Sequence, residues 1–235
     1  MRLLTAAVMI VLATACQRQT EPAPSAEATA AKADTASQAT AAEPAAASPA
    51  SEPGSVPVNV DNFVRAESDL FFGNIAHSGG FGKFFHRREP AAVDQQTVIR
   101  MNRDTVYSQA VFDLDAGPVT VTLPDAGKRF MSLQAIDQDH YTHNVIYKAG
   151  RHTFTRKDIG TRYMVILVRT LLDPNDPGDM KEVHALQDRI GVQQRDAGNF
   201  EIPNWDEASQ KKVHDGLALM ASTMKGFKGA FGARG

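Results

Sequence analysis

Between Val106 and Thr170 the chain breaks into short segments in which apolar residues recur at every second position, and this restricts its fold more than any other feature. Val106, Ser108, Ala110 and Phe112 alternate with Tyr107, Gln109 and Val111, and residues 118–123 (PVTVTL) alternate strictly. Segments at 130–136, 145–147, 152–155 and 163–170 have the same strand-like composition. The connections are short, and three of them, Asp115-Ala116-Gly117, Asp125-Ala126-Gly127 and Lys148-Ala149-Gly150, end in a glycine that can take a positive φ. About seven short strands on such turns predict an antiparallel β-sandwich of jelly-roll type. A parallel α/β sheet is disfavoured, because each parallel crossover needs about a dozen residues.

Helices are expected on either side of this block. Asp61 can cap one that carries Phe63, Ala66, Leu70, Phe71 and Asn74 on one side and stops at Gly79-Gly80. Asp179 with Glu182, and Asn204 with Glu207, form capping-box patterns. The first precedes Met180, Val183, Leu186 and Ile190; the second precedes Trp205, Ala208, Val213, Leu217, Met220 and Met224, which read as a core stripe. The expected fold class is therefore α+β: mainly β, with attached helices.

The N-terminal quarter has a different character. All 12 Phe, all 4 Tyr, the single Trp and all 7 His lie after residue 60, and the N-terminal segment holds the excess acid behind the formal net charge of −2. Residues 1–15 have a basic start at Arg2, an apolar run from Leu3 to Leu12, and small residues before Cys16, the layout of an export signal. Leu12-Ala13-Thr14-Ala15-Cys16 resembles a bacterial lipobox, which would place lipid on Cys16; Ala13 and Ala15 also fit an ordinary signal-peptidase site. Cys16 is the only cysteine, so no internal disulfide can account for it. The expectation is a cell-envelope lipoprotein, outer-membrane and facing the periplasm, and otherwise a periplasmic or secreted protein. Residues 16–56, dominated by Ala, Pro, Ser and Thr, contain too little apolar surface to offset ordering entropy and read as a disordered tether. Residues 57–225 make one domain of ordinary size, and 226–235 a flexible Gly-rich tail. No basic stripe marks a nucleic-acid binder.

The block Val98-Ile-Arg-Met-Asn-Arg-Asp-Thr-Val-Tyr-Ser108, with Asn62-Phe-Val-Arg-Ala66, Gly127-Lys-Arg-Phe-Met131, Asp137 through Tyr141 and Gly160-Thr-Arg-Tyr163, resembles the family called domain of unknown function 1254. The resemblance covers about residues 60–225 and implies a jelly-roll sandwich with attached helices and no assigned activity. It also implies a frequent second module, domain of unknown function 1214, which would complete any shared site or be supplied by a partner chain.

Two polar clusters carry the candidate chemistry. Arg100, Asn102, Arg103, Asp104 and Tyr107 lie among strand residues, where charge is costly unless matched. One reading is a ligand pocket in which Arg100 or Arg103 forks onto a carboxylate or sugar hydroxyls while Asn102 and Tyr107 donate. The other is a structural network with Asp104 capping a turn. The second cluster is Asp137, Asp139, His140, Tyr141 and His143, whose spacing matches neither a calcium loop nor a zinc helix, so no metal site is assigned. It reads as a strand-to-strand turn, or as an acid/base pair of His140 with Asp139 or Asp104. No nucleotide or cofactor fingerprint appears, and none is expected. The leading expectation is thus a membrane-anchored domain that binds a small polar or saccharide-like ligand. Alternatives are a hydrolase or lyase using His140, and an inactive half-module that pairs with a partner chain.

Overall fold

The computed structural model describes residues 53–92, 94, 102–224 and 226. The export signal, Cys16, the tether to residue 52, Arg100 and nearly all of the tail lie outside the described residues.

Eight strands lie among the described residues, β2 to β7 from the expected segments and β1 and β8 outside them: β1 (Phe85–Arg87), β2 (Thr105–Asp113), β3 (Val119–Leu123), β4 (Met131–Asp137), β5 (Thr142–Ile146), β6 (Gly150–Phe154), β7 (Tyr163–Leu171) and β8 (Gly191–Gln194). They build a five-stranded sheet ordered β1-β2-β7-β4-β5 and a three-stranded sheet ordered β6-β3-β8, with every named pairing antiparallel. Gly117, Gly127 and Gly150 take φ of 133°, 61° and 124°, as the turn sequences require.

Period-2 alternation splits the large sheet into two faces. Ala110 and Phe112 of β2, Leu133 and Ala135 of β4, and Met164, Ile166 and Val168 of β7 pack against Val119, Val121 and Leu123 of β3 and Phe154 of β6. The two sheets therefore enclose one core, the sandwich expected from the strand pattern. Each large side chain buried there contributes about 1.5–3 kcal/mol.

The outer face of the large sheet is covered over part of its length by α1 (Phe63–Ile75), whose Phe72 and Ile75 pack on Val111, Ile136, Tyr163 and Val165. The buried stripe of α1 thus runs through Phe63, Ala66, Phe72 and Ile75, whereas Leu70 stays 51% and Phe71 38% exposed. A π-helical turn (Ala76–Gly80) follows, with Gly79 at φ 91° and Gly80 seated where a Cβ would lie 2.7 Å from Ile75 Cγ2.

α2 (Arg156–Ile159) is a single turn between β6 and β7. α3 (Pro177–Asp188) starts from Asp176, whose carboxylate accepts from Gly178 N, so the N-cap lies three residues before the expected Asp179. Asp179 instead binds Arg129 and accepts from Asp173 N at 2.7 Å. α4 (Glu207–Ser222) is capped by Asp206, not Asn204. Only Gln210 and Ala221 of α4 are buried. Val213, Leu217 and Trp205 are half-buried against Val58, Phe63 and Ala66, while Met220 of the expected core stripe is 66% exposed. Among the described residues no helix is long and apolar enough to cross a membrane.

Candidate functional site

On the outer face beyond the reach of α1, sheet register sets one row of residues side by side: Arg87 opposite Tyr107, Tyr107 opposite Arg169, and Arg169 opposite Ser132. The next row toward α1 is Phe85, Gln109, Leu167, Gln134 and Val145. The Arg169 guanidinium carbon lies 5.8 Å from the Tyr107 ring centroid, a cation–π distance. Asn102 shapes the entry to β2: its Oδ1 accepts from Asp104 N at 2.8 Å, and its amide donates to Thr105 Oγ1 at 3.0 Å and Tyr107 Oη at 3.4 Å. Asp104 is exposed, its backbone carbonyl accepting from Leu172 N at 3.0 Å. It forms no ion pair with an arginine among the described residues.

On this row and in the segment leading into β2, two guanidinium groups keep an unused donor. Of the four buried side-chain polar atoms without a hydrogen-bond partner among the described residues, two are arginine nitrogens, Nε of Arg103 and Nε of Arg169. An unpaired desolvated donor on a cationic group costs more than a neutral one, about 1–3 kcal/mol or above. Such an arginine is suited to accept an oxyanion in a two-point fork.

Beneath this face the backbone is held rigid from the side. Gln187 of α3, fully buried, donates to the carbonyls of Arg87 at 3.2 Å and Tyr107 at 3.4 Å and to Ser108 Oγ at 3.3 Å. Ser108 Oγ also lies 2.7 Å from His86 Nδ1, and burial lowers the His86 pKa.

The second cluster forms the turn between β4 and β5, packed against α1. Asp137, fully buried, takes Tyr141 N on Oδ1 at 2.9 Å and the His143 ring on Oδ2 at 2.7 Å. Asp139 pairs with Arg65 at 2.7 Å. His140 sits at φ 65°, a left-handed conformation uncommon outside glycine, and its Nδ1 lies 3.2 Å from Ser68 Oγ, a hydroxyl with no solvent exposure. Burial pushes the His140 pKa down against the opposing pull of Asp137 and Glu67. Nearby, burial raises the Asp69 carboxyl, which accepts from Gln138 Nε2 at 2.7 Å and Trp205 Nε1 at 3.0 Å. Among the described residues, no hydrogen bond joins His140 to Asp139 or to Asp104. The cluster's polar groups are turned on one another and tie α1, the β4–β5 turn and the loop before α4 together.

The structure therefore brings Asn102 and Tyr107 together with Arg103 beside them, leaves Asp104 in solvent, and places His140 and Asp139 in a different cluster with separate partners. Arg169 and Arg87 join the site from strands distant in sequence. The signal for Arg169 is a single cation inside the apolar run MVILVRTL, which has meaning only once register sets it across from Tyr107.

The molecule is a two-sheet antiparallel sandwich with attached helices, of which α1 covers part of the outer face of the large sheet and leaves an arginine-bearing remainder. Residues 81–158 match the model of the family described as "Protein of unknown function (DUF1254)", so the resemblance carried by the Arg-Met-Asn-Arg-Asp-Thr block holds over that span. Among solved structures, the VPA0106 protein from Vibrio parahaemolyticus is similar at 18% identity and a TM-score of 0.45, the match covering 60% of this chain and 38% of that one. The chain thus spans well under half the length of that structure. No curated protein matches.

Proposed function

We propose that this chain is a membrane-tethered binding domain, held by lipid on Cys16 at the bacterial envelope, whose open sheet face takes a small polar ligand bearing an oxyanion. The observation that carries this reading is the pair of buried arginine Nε atoms without a partner among the described residues, on Arg103 and on Arg169, the latter beside the Tyr107 ring. A protein arginine stays charged at any physiological pH, so desolvating its Nε–H without an acceptor is a standing cost that a bound oxyanion would remove. Tyr107 Oη, which accepts from Asn102, supplies a neutral donor for a ligand hydroxyl.

The binding half is tested by calorimetric titration of the full chain with acetate and with inorganic phosphate. Saturable binding lost in both Arg103→Ala and Arg169→Ala, with an unchanged melting curve, is the expected result; titration that never saturates overturns it. The anchor is tested by fractionation: wild-type chain sediments with membranes and Cys16→Ala is released. A Cys16→Ala chain that still sediments refutes lipid attachment there.

A further inference from the structure

We infer that the ligand of this face is a ring-bearing carboxylate, bound with its charge at the arginine row and its ring against the adjoining row. The inference rests on the oxyanion-binding reading above and adds to it the chemistry of the ligand's body. Residues two apart on a strand lie about 7 Å from one another, so the Phe85, Gln109, Leu167, Gln134 and Val145 row runs parallel to the arginine row at that distance. A carboxylate carried on a ring can therefore keep its charge at the arginine row while the ring body extends toward the adjoining one.

That second row is not fully covered. Phe85, Gln109 and Leu167 are half-buried, Val145 is 46% exposed, and beside it Tyr147 is 65% exposed. Leu167 touches the cluster under α1, so the apolar surface is continuous with the packed part of the face, and at its β1 end the Arg87 guanidinium carbon lies 6.0 Å from the Phe85 ring centroid. Gln134 is already committed, donating to Thr142 Oγ1 at 2.9 Å, whereas the Gln109 side chain has no partner among the described residues. A ligand that matches the face therefore carries one anionic group, a flat apolar body, and at most one polar substituent within reach of Gln109. Acetate or phosphate alone would satisfy the arginines and leave the second row bare. A charged polysaccharide with hydroxyls on every edge would place polar groups over Leu167 and Val145 at a desolvation cost.

The experiment is a comparative titration of the full chain with benzoate, cyclohexanecarboxylate and acetate. Burying one ring face is expected to make the two ring acids bind about tenfold more tightly than acetate. Leu167→Asn is expected to erase most of that preference while acetate affinity stays unchanged. Val145→Asn, at an exposed edge-strand position, provides the same readout if Leu167→Asn fails to fold. Equal affinities for ring acids and acetate, unmoved by either variant, overturn this inference and leave the oxyanion reading standing. Absence of binding by all three acids, with Arg169→Ala indistinguishable from wild type, overturns the oxyanion reading itself.

Discussion

Arg162 and Arg169 lie at opposite ends of β7, the first one residue outside it, and the molecule treats them in opposite ways. Arg162, placed just before the strand, donates from Nη2 to Asp113 at 2.9 Å and to the Asn199 carbonyl at 3.2 Å, and its Nη1 lies 3.5 Å from Glu201. Its neighbours hold it protonated well above an ordinary arginine, chiefly through the bond to Asp113. The guanidinium also lies 4.9 Å from the Tyr163 ring centroid. Arg169 has the same kind of aromatic neighbour, Tyr107, but a buried Nε with no acceptor among the described residues. A cation surrounded by carboxylates joins elements; a cation left without one on an open face keeps its binding capacity for something outside the chain. Arg129, bridging the loop before β4 to Asp179 and Glu182 of α3, belongs with Arg162; Arg103 belongs with Arg169.

The largest effect is expected where the contrast is broken from the paired side. Asp113 is 2% exposed and accepts from Arg162, from Asp115 N at 3.0 Å and from Asn199 N at 3.4 Å. Asp113→Ala removes the acceptor that these donors share, and about 3 kcal/mol of stability should be lost, read as a lower urea midpoint at constant slope. A loss below about 0.5 kcal/mol would mean that pairing at this end is incidental and would dissolve the comparison.

Next in size is Gln187→Ala. It leaves three acceptors, the part-buried carbonyls of Arg87 and Tyr107 and the buried Ser108 hydroxyl, without a shared donor, at about 2 kcal/mol. Because this residue supports the backbone under the arginine row, hydrogen exchange at Tyr107 and Ser108 should accelerate more than at β3. Uniform acceleration across both sheets would show that α3 acts on the whole sandwich rather than on this row.

Acidification sharpens the contrast further. Arg162 and the surrounding backbone donors outweigh burial and hold Asp113 below the ordinary carboxylate value of 3.8, and Arg129 does the same for Asp179. A depressed folded-state pKa adds stability that is fully present above the unfolded value and is lost as pH falls through the folded one. Burial lowers His86 and His140 as well, so wild-type urea midpoints should begin to fall as pH drops below about 6.5 and fall again below about pH 4, with the Asp113→Ala variant dropping less in the lower range. Burial raises Asp69, so its contribution has the opposite sign, present at low pH and lost as pH rises past 3.8 toward its folded value. Arg169 has no carboxylate partner among the described residues, so Arg169→Leu should reproduce the wild-type pH slope. A slope that differs would reveal an acid paired with Arg169.

These contrasts explain how far the sequence could be read. Alternation in β2, β3, β4 and β7 predicted the strands, because each alternates between core and outer face with a period that local residues display. β1 and β8 escaped notice, since Phe85–Arg87 and Gly191–Gln194 are short and gain their conformation only from pairing with β2 and β3. The stripe of α1 was misplaced by one face: Leu70 and Phe71 are as apolar as Phe72, and only the position of the sheet decides which is buried. At the site, Asn102, Arg103 and Tyr107 were legible as a local polar block. Arg169 was not, because opposition to Tyr107 is a property of register between strands more than 60 residues apart. His140 and Asp139, neighbours in sequence, turn to different partners because the left-handed φ of His140 points its ring at Ser68 while Asp139 reaches Arg65.

The smallest stability effect should come from Arg169→Leu. Leucine removes the desolvated Nε–H and keeps apolar contact with the Tyr107 ring, so the lost cation–π attraction and the relieved donor offset each other to within about 0.5 kcal/mol. A structural arginine would not behave this way: with a hidden acceptor, the same change would strand that acceptor and cost about 1–3 kcal/mol. The melting temperature of Arg169→Leu, compared with that of Asp113→Ala in the same buffer, thus separates an arginine spent on the fold from one held for a ligand. The distinction is strongest if saturating benzoate raises the wild-type melting temperature and leaves that of Arg169→Leu where it was, since a ligand stabilises only the state that binds it.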